Sequence, residues 1–553
     1  MNDDENNENN LTSLNNIIIT TILENKTILL SAVLLIVGSV IGGIIFPRMY
    51  GDFASNIPDN ILKFNFIDIL IVVLPYIVSE LLYYVCDTID AYAFPKIELS
   101  IIKRLSNKVI KSVKTTKHEI NSNELILQLK KILDMRHIYY MITSYVLPPI
   151  LISLGISFYF GMSNISFGIS TFVILALVFI ILINMSNKCF DKTQHNEHQI
   201  DNFCEDVYDV FNNIDPIIVA GMTKEELDRI ENKKNELYKH MSGKDLCNGQ
   251  LKFVFFIAYF IVMIILNGLG MKLYYDKKID KSVLVGIFFM VLTLIQHYDS
   301  MIYELHNISS HVGIYRHLQQ YFDNFTINNT KLKTDFKSDN YDIEFKNITA
   351  NYKDKKIFDK LNLIINENDF VGIMGEIGSG KSTILKILAG IMKYEGDIMI
   401  GNKNIKDYDI SEIISYIPQN PKLFNRTILE NITYGTDYNI DKINKIILEF
   451  DLVNFFKSFP KGLDTKVGKD GLNISGGQRE IIYILRAIIQ DKKIILMDEP
   501  SGNLNDDYRD IFMNIVKNLT NKTIIIVTHD DKILDLFNRI IVMDKGKIKD
   551  DII

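Results

Sequence analysis

The sequence lacks the surplus of positive charge that a nucleic-acid binder carries. Lys and Arg number 60 against 67 Asp and Glu, for a formal net charge of -7, and nucleic acid is excluded as the general partner. Cysteine is scarce: Cys86, Cys189, Cys204 and Cys247 are widely spaced, with no CxxC pair and no histidines at zinc-ligand spacing. That excludes a thiolate zinc site and leaves four expected free thiols. The first ten residues, MNDDENNENN, have none of the basic start of a signal peptide, and residues 1–20 are expected to be a disordered cytoplasmic tail. Tryptophan is absent. Beside abundant Ile, Asn and Lys this follows a base bias and excludes nothing.

What is present is apolar length. Hydrophobic residues make up 48% of 553, too long a chain for one ordinary core, and the uncharged runs crowd the first 300 or so residues. A helix needs roughly 20 mostly apolar residues to cross about 30 Å of hydrocarbon. Six stretches qualify, near Ile28–Phe46, Phe66–Val85, Ile138–Phe160, Ile165–Met185, Phe253–Met271 and Val283–Gln296. The second holds Asp68 and Glu80 and the sixth is short, so these two are the weaker spans. Both acids are costly against lipid, so an interior or water-facing position is expected for each: wet surroundings near a helix end first, with a substrate or proton site as the alternative.

Two connections are long, about fifty residues between spans two and three and over about sixty between four and five, and they gather the basic residues, among them Lys103, Arg104, Lys108, Lys130, Lys131, Arg136, Lys224, Arg229 and Lys239. Positive charge stays on the cytoplasmic side, which puts both termini inside. Leu125–Met135 and Lys224–Met241 have helical spacing with few breakers, so the spans are expected to continue as helices into the cytoplasm. The polar, aperiodic segment 326–340 reads as a linker. The expected fold is thus a multidomain membrane protein, an all-α six-helix transmembrane domain over 21–325 followed by an α/β P-loop NTPase nucleotide-binding domain over 341–553.

In that second part, the apolar run from Phe370 to Gly375 leads into Gly375-Glu-Ile-Gly378-Ser379-Gly380-Lys381-Ser382-Thr383 and then a helical stretch. Strand, glycine loop and helix in this order form a P-loop: backbone N–H groups curl around phosphates, Lys381 reaches the β and γ oxygens, and the Ser382 hydroxyl can ligate Mg²⁺. Ile494–Met497 followed by Asp498 and Glu499 is an apolar strand with carboxylates at its C-terminal end. Asp498 is placed to hold Mg²⁺, and Glu499 to act as the base that polarises the attacking water.

Between these motifs, Ile474-Ser475-Gly476-Gly477-Gln478-Arg479-Glu480 resembles the signature of the ATP-binding cassette (ABC) family, and the wider chain resembles its type I exporter half-transporters. The resemblance implies that Ser475, Gly476, Gly477 and Gln478 cap the γ-phosphate of ATP held by a second subunit's P-loop. It further implies that Tyr352 stacks on adenine, that Gln419 in the loop after Ser415-Tyr-Ile-Pro senses metal and water, and that His529, after the strand Ile524–Val527, contacts the γ-phosphate. Thr427–Ile432, Phe459–Gly468 and Val219–Arg229 are similar to exporter segments. With one P-loop and one signature per chain, two copies are required, most simply a homodimer. The implied activity is hydrolysis of ATP with Mg²⁺, coupled to export of an amphipathic lipid, peptide or drug across the lipid bilayer. An ATP-gated channel, a regulatory membrane protein and one half of a heterodimer are the alternatives.

The chain departs from the family in four places. Ile474 replaces a leucine, Asn505 stands where aspartate is expected in the segment that follows Glu499, and Lys466 and Lys469 occupy acidic positions. None of these removes Lys381, Asp498, Glu499 or His529, and the subunit interface is where divergence is expected.

Overall fold

The computed structural model describes residues 13–55, 66–117, 121–133, 139, 142–326, 332–352, 355–502 and 504–552. The chain divides into two units, one formed by residues 1–113 and 118–327, the other by 114–117 and 328–553. The first is helical. Helix α1 (Leu14–Glu24) is capped by Ser13, whose side chain accepts from the Asn16 N–H, and it buries Leu14 and Ile17 completely. Its 3–4 apolar spacing therefore ends the expected tail at Ser13, short of residue 20; residues 1–12 lie outside the described residues. A near-continuous helix follows, α2 (Lys26–Val40), a π turn (Ile41–Ile45) and α3 (Phe46–Ser55). Then come α4 (Phe66–Thr116), α5 (Ser122–Ile132), α6 (Leu147–Ser163), α7 (Ile165–Asn212), the short α8 (Ile214–Ala220), α9 (Thr223–Tyr275) and α10 (Lys281–Asp323).

Among the described residues four helices are long and apolar enough to cross a membrane: Lys26–Ser55, Phe66–Thr116, Ile165–Asn212 and Thr223–Tyr275. The third and sixth expected spans coincide with shorter apolar stretches, Leu147–Ser163 and Lys281–Leu294. Part of the third begins in residues 134–138 and 140–141, outside the described residues, and helix α10 itself continues past the sixth to Asp323. At 1.5 Å per residue, the 53 residues of α9 extend about 80 Å, far beyond about 30 Å of hydrocarbon. The long connections are thus helical continuations of the spans. Helices α6, α7, α9 and α10 share a core that includes Ile156, Phe160, Phe255, Leu266, Met290 and Tyr298. Cys189 and Cys247 form a disulfide between α7 and α9; only Cys86 and Cys204 are free thiols. The expectation of four free thiols missed this because the two cysteines, 58 positions apart, are brought together by a helical hairpin.

Beyond the apolar run of α7, Asp201 joins three helices. It accepts from Lys131 at 2.7 Å and Gln128 at 2.8 Å, both on α5, and pairs with His317 of α10 at 2.7 Å. Burial pushes its carboxyl up, but the hydrogen bonds from His317, Lys131 and Gln128 outweigh this and hold it at about 2, against an ordinary 3.8. A depressed folded-state pKa contributes stability above the unfolded value that is lost as pH falls through the folded one, here between about pH 4 and pH 2. The shift corresponds to about 2 kcal/mol. Asp201→Asn should lower Tm by a few degrees at pH 7, and the gap from wild type should close as pH drops toward 2 in thermal melts. A gap that persists at the low end contradicts the linkage.

The second unit is α/β. A four-stranded antiparallel sheet runs β2-β1-β4-β5, where β1 is Ile343–Tyr352, β2 Lys355–Ile365, β4 Glu395–Ile400 and β5 Lys403–Asn404. A six-stranded sheet runs β10-β9-β3-β8-β7-β6, with β3 Phe370–Gly375, β6 Ile414–Ile417, β7 Ile494–Asp498, β8 Thr523–Val527, β9 Arg539–Asp544 and β10 Lys547–Ile552. All neighbours in it are parallel except β9 and β10. Strands β7 and β8 are buried along their whole length, as unbroken apolar runs require between two covering layers. The expected linker is shorter than 326–340: Lys333 donates its N–H to the Asp407 carbonyl and Phe336 is buried in this unit's core, so the segment has joined the domain well before Asn340.

Candidate active site

Parallel strands bring their C-terminal ends to one edge of a sheet, and ligand sites form there. Four of the sequence motifs leave from that edge: the P-loop after β3, Gln419 after β6, Asp498 and Glu499 at the end of β7, and Thr528-His529 after β8. The P-loop turns where only glycine fits. Gly375 has φ +139° and a Cβ there would lie 2.0 Å from the Met543 carbonyl oxygen; Gly380, at φ +102°, opens helix α11 (Lys381–Leu388) with Phe358 packed against it. The turn between β9 and β10 holds the loop from outside, with Gly546 N–H donating to the Ser379 carbonyl at 3.0 Å.

Inside the loop, Lys381 Nζ donates to the carbonyls of Gly375 and Glu376, each at 2.8 Å. Burial lowers its pKa against the opposing pull of Glu499 and Asp498. Ser382 Oγ donates to Asp498 Oδ1 at 2.8 Å. Burial raises the Asp498 carboxyl, the Ser382 bond opposes this, and Glu499 adds to it. Two oxygen ligands so placed, one a buried carboxylate with too little positive charge nearby, suit a hard divalent cation. Ser379 Oγ is buried with no hydrogen-bond partner, which leaves a polar atom free in the cradle.

Glu499 is the meeting point. Gln419 Nε2 donates to its Oε2 at 2.6 Å, and His529 Nε2 lies 3.4 Å from its Oε1. Its backbone is left-handed, φ +51°, held by Glu499 N–H to the Val527 carbonyl at 2.8 Å and Gly502 N–H to the Glu499 carbonyl at 3.2 Å. Strain of this kind in a non-glycine residue persists where the surroundings over-determine it. Gly378 and Thr383 complete the loop and its helix. Tyr352, at the end of β1, is half exposed and free to meet a flat ligand.

Ser475 caps helix α12 (Gly476–Ile489) with a reciprocal box: its hydroxyl accepts from Gln478 N–H, and the Gln478 side chain accepts from Ser475 N–H. Ser475 is exposed at this helix start, with Gly476, Gly477 and Gln478 forming the first turn. Among the described residues no hydrogen bond or ion pair joins these four to the P-loop of the same chain. Asn505 caps helix α13 (Asp506–Lys517) by accepting from Tyr508 N–H, a role that Asn fills as well as Asp. Lys466 bridges to Thr427, so its loop packs on the start of the short helix Ile428–Ile432.

The residue profile of the ABC transporter family matches residues 358–502, which run from β2 through the P-loop, Gln419, the Ser475 helix start and Glu499. The chain carries an ABC transporter domain. Over 220 residues the chain is 36% identical to an export ATP-binding/permease protein of Rickettsia prowazekii, a match covering 38% of each. It is 34% identical over 216 residues to an ATP-dependent lipid A-core flippase of Idiomarina loihiensis, covering 37% of each. It is 33% identical over 220 residues to the mitochondrial iron-sulfur clusters transporter ATM1 of Saccharomyces cerevisiae, covering 38% of this chain and 32% of that one. The matched stretch thus spans less than two-fifths of these curated relatives. A solved bacterial Atm1-family ABC exporter with ATP bound superposes with a TM-score of 0.81 over 95% of both chains at 18% identity. The whole chain, helical unit included, has an ABC exporter fold.

Two arginines around the ABC site escaped the sequence reading. Buried Arg486 on α12 donates to the Asn431 carbonyl at 2.7 Å and to its side chain at 2.9 Å, beneath the ring of Tyr483. Arg509 on α13 reaches Asp530, the neighbour of His529, at 3.1 Å and the Leu504 carbonyl at 3.2 Å. Their partners lie 55, 21 and 5 residues away. A lone charge in the mostly apolar run Ile481–Ile489 was the one local signal, at Arg486.

Proposed function

We propose that the chain is one half of an ATP-driven membrane exporter, and that two copies form the working unit. The carrying observation is Glu499 held between Gln419 and His529 beside the Ser382–Asp498 pair, while among the described residues no hydrogen bond or ion pair ties the exposed Ser475 helix start to the P-loop of its own chain. In this reading Lys381, Gly375, Gly378, Ser379, Gly380 and Thr383 hold the phosphates and Tyr352 stacks on adenine. Glu499 accepts the proton of the attacking water, which Gln419 and His529 orient. Ser382 and Asp498, with Gln419, hold Mg²⁺, which supplies charge neutralisation for the transferred phosphoryl group.

The second copy contributes Ser475 to Gln478 across the interface, where the N-terminal dipole of α12 favours the γ-phosphate. Closure of the two ABC domains on ATP is passed to the helical unit, which exports an amphipathic substrate. The excess of Lys and Arg in the long connections places both termini and the ABC domain in the cytoplasm. The relatives named for lipid A-core and for iron-sulfur clusters differ in cargo, so their names do not choose the substrate here.

The test mixes two inactive chains. Lys381→Ala lacks a working P-loop and Ser475→Arg a working signature, and each alone should hydrolyse Mg-ATP at background in lipid nanodiscs. Co-assembled, a mixed pair regains one complete composite site. Recovered turnover in the mixture, about a quarter or more of wild type, supports shared sites; a mixture no better than either parent overturns them.

A further inference from the structure

Across the six apolar stretches, the only charged side chains are Asp68 and Glu80, and both are acids. Glu80 lies about four turns into α4, within the apolar run, and among the described residues no Lys, Arg or His pairs with it. Tyr76, Glu80 and Tyr84 stand four residues apart and so share one helix face. On that spacing Tyr76 and Tyr84 flank Glu80, one turn to either side of it. The neighbouring face of α4 is the packed one. Ser79 donates to the Gly38 carbonyl at 2.8 Å and the Tyr83 hydroxyl meets Ser39 at 3.1 Å, which seats that side on α2. Tyr76 and Tyr84 remain 47% and 69% exposed.

From Tyr76 an aromatic path crosses to two other helices. Its ring lies 5.3 Å from Phe46 of α3, Phe46 lies 5.9 Å from Tyr50, and Tyr50 meets Phe289 of α10 edge-on at 4.5 Å. The result is a partly open apolar wall with a carboxylate between two tyrosines at one end. A bare carboxylate facing lipid is costly, whereas a carboxylate flanked by π faces is the chemistry that recognises an ammonium ion. Phosphate and sulfonate head groups are repelled by the Glu80 carboxylate, and the one cation on the α3 stretch of the wall, Arg48, lies over the Tyr159 ring.

We infer that this face binds amphipathic organic cations, with the ammonium on Glu80 between Tyr76 and Tyr84 and the apolar body along Phe46, Tyr50 and Phe289. As a statement about the exported substrate it rests on the exporter proposal; as a statement about binding it stands on the wall alone.

The test is equilibrium dialysis of the nucleotide-free, full-length protein in neutral-lipid nanodiscs. The probes are dodecyl-benzyl-dimethylammonium and the uncharged dodecyl benzyl ether. Saturable binding of the ammonium, at least about tenfold weaker in Glu80→Gln and largely restored in Glu80→Asp, is expected, with the ether bound equally by all three. Tyr84→Ala should weaken ammonium binding severalfold and Tyr84→Phe should not, which keeps the test open should the Glu80 variants fail to fold. Equal binding of ammonium by wild type and Glu80→Gln, or of ammonium and ether by wild type, overturns the inference, and is the result if a second copy covers this face. Basal Mg-ATP hydrolysis by the same preparations reads the exporter proposal separately: its absence alongside charge-dependent binding sinks that proposal and leaves the cation site standing.

Discussion

Glu499→Gln lowers steady-state ATP turnover by about 10²- to 10⁴-fold while nucleotide affinity stays near wild type. General bases contribute rate factors of that size, and the substitution removes the base without removing its shape. The main-chain bonds that hold residue 499, from its N–H to Val527 and from Gly502 to its carbonyl, do not involve the side chain. An amide can still meet Gln419 and His529 as partner atoms, but it cannot take a proton from water. The loss is therefore chemical rather than conformational. Two measurements separate these: turnover by phosphate release, and Mg-ATP affinity by calorimetry, with thermal melting as a check on folding. Turnover within threefold of wild type removes Glu499 from the role of base. Wild-type turnover with weakened affinity makes it a binding residue instead.

The α/β unit was legible because its chemistry is written in contiguous residues. The P-loop needs glycine at Gly375 and Gly380 for reasons of φ and space, and each apolar run before a motif became a strand whose C-terminal end carries that motif. Convergence of Gln419, Glu499 and His529 was expected from resemblance, and the parallel order of β6, β7, β8 and β3 is its physical cause. The helical unit was legible in its periods and less so in its joins. Helical spacing gave α5 and the extension of α9, yet it could not say that Cys189 and Cys247 meet, because that depends on the registry of two long helices folded back on each other. The wall around Glu80 has the same character. Tyr76, Glu80 and Tyr84 follow from a period of four, while Phe46 and Phe289 join them only through packing between helices. Asn505 carried a different lesson. Its departure from aspartate suggested altered contact between subunits, but within the chain it caps α13 as aspartate does, so any consequence lies in the charge it no longer presents.

Lys381→Ala should weaken Mg-ATP binding by roughly 10- to 100-fold, the range for losing hydrogen bonds to charged oxygens, and bring hydrolysis to background at millimolar ATP. The reason is in how the loop holds the side chain. Nζ donates to the carbonyls of Gly375 and Glu376, which holds the ammonium in the cradle at the cost of burying it; burial is the leading cause of its lowered pKa. Alanine gives up the two bonds and also the desolvation, two contributions of opposite sign, so the melting temperature of the nucleotide-free protein should move little. Lys381→Arg should rescue poorly, since a planar guanidinium is wider than the point charge that this turn surrounds. The two variants then part cleanly: Glu499→Gln binds ATP and does not turn it over, Lys381→Ala turns nothing over because it binds weakly. Calorimetric affinity for Mg-ATP in the Lys381→Ala protein decides the matter, and affinity equal to wild type would mean that backbone N–H groups alone hold the phosphates.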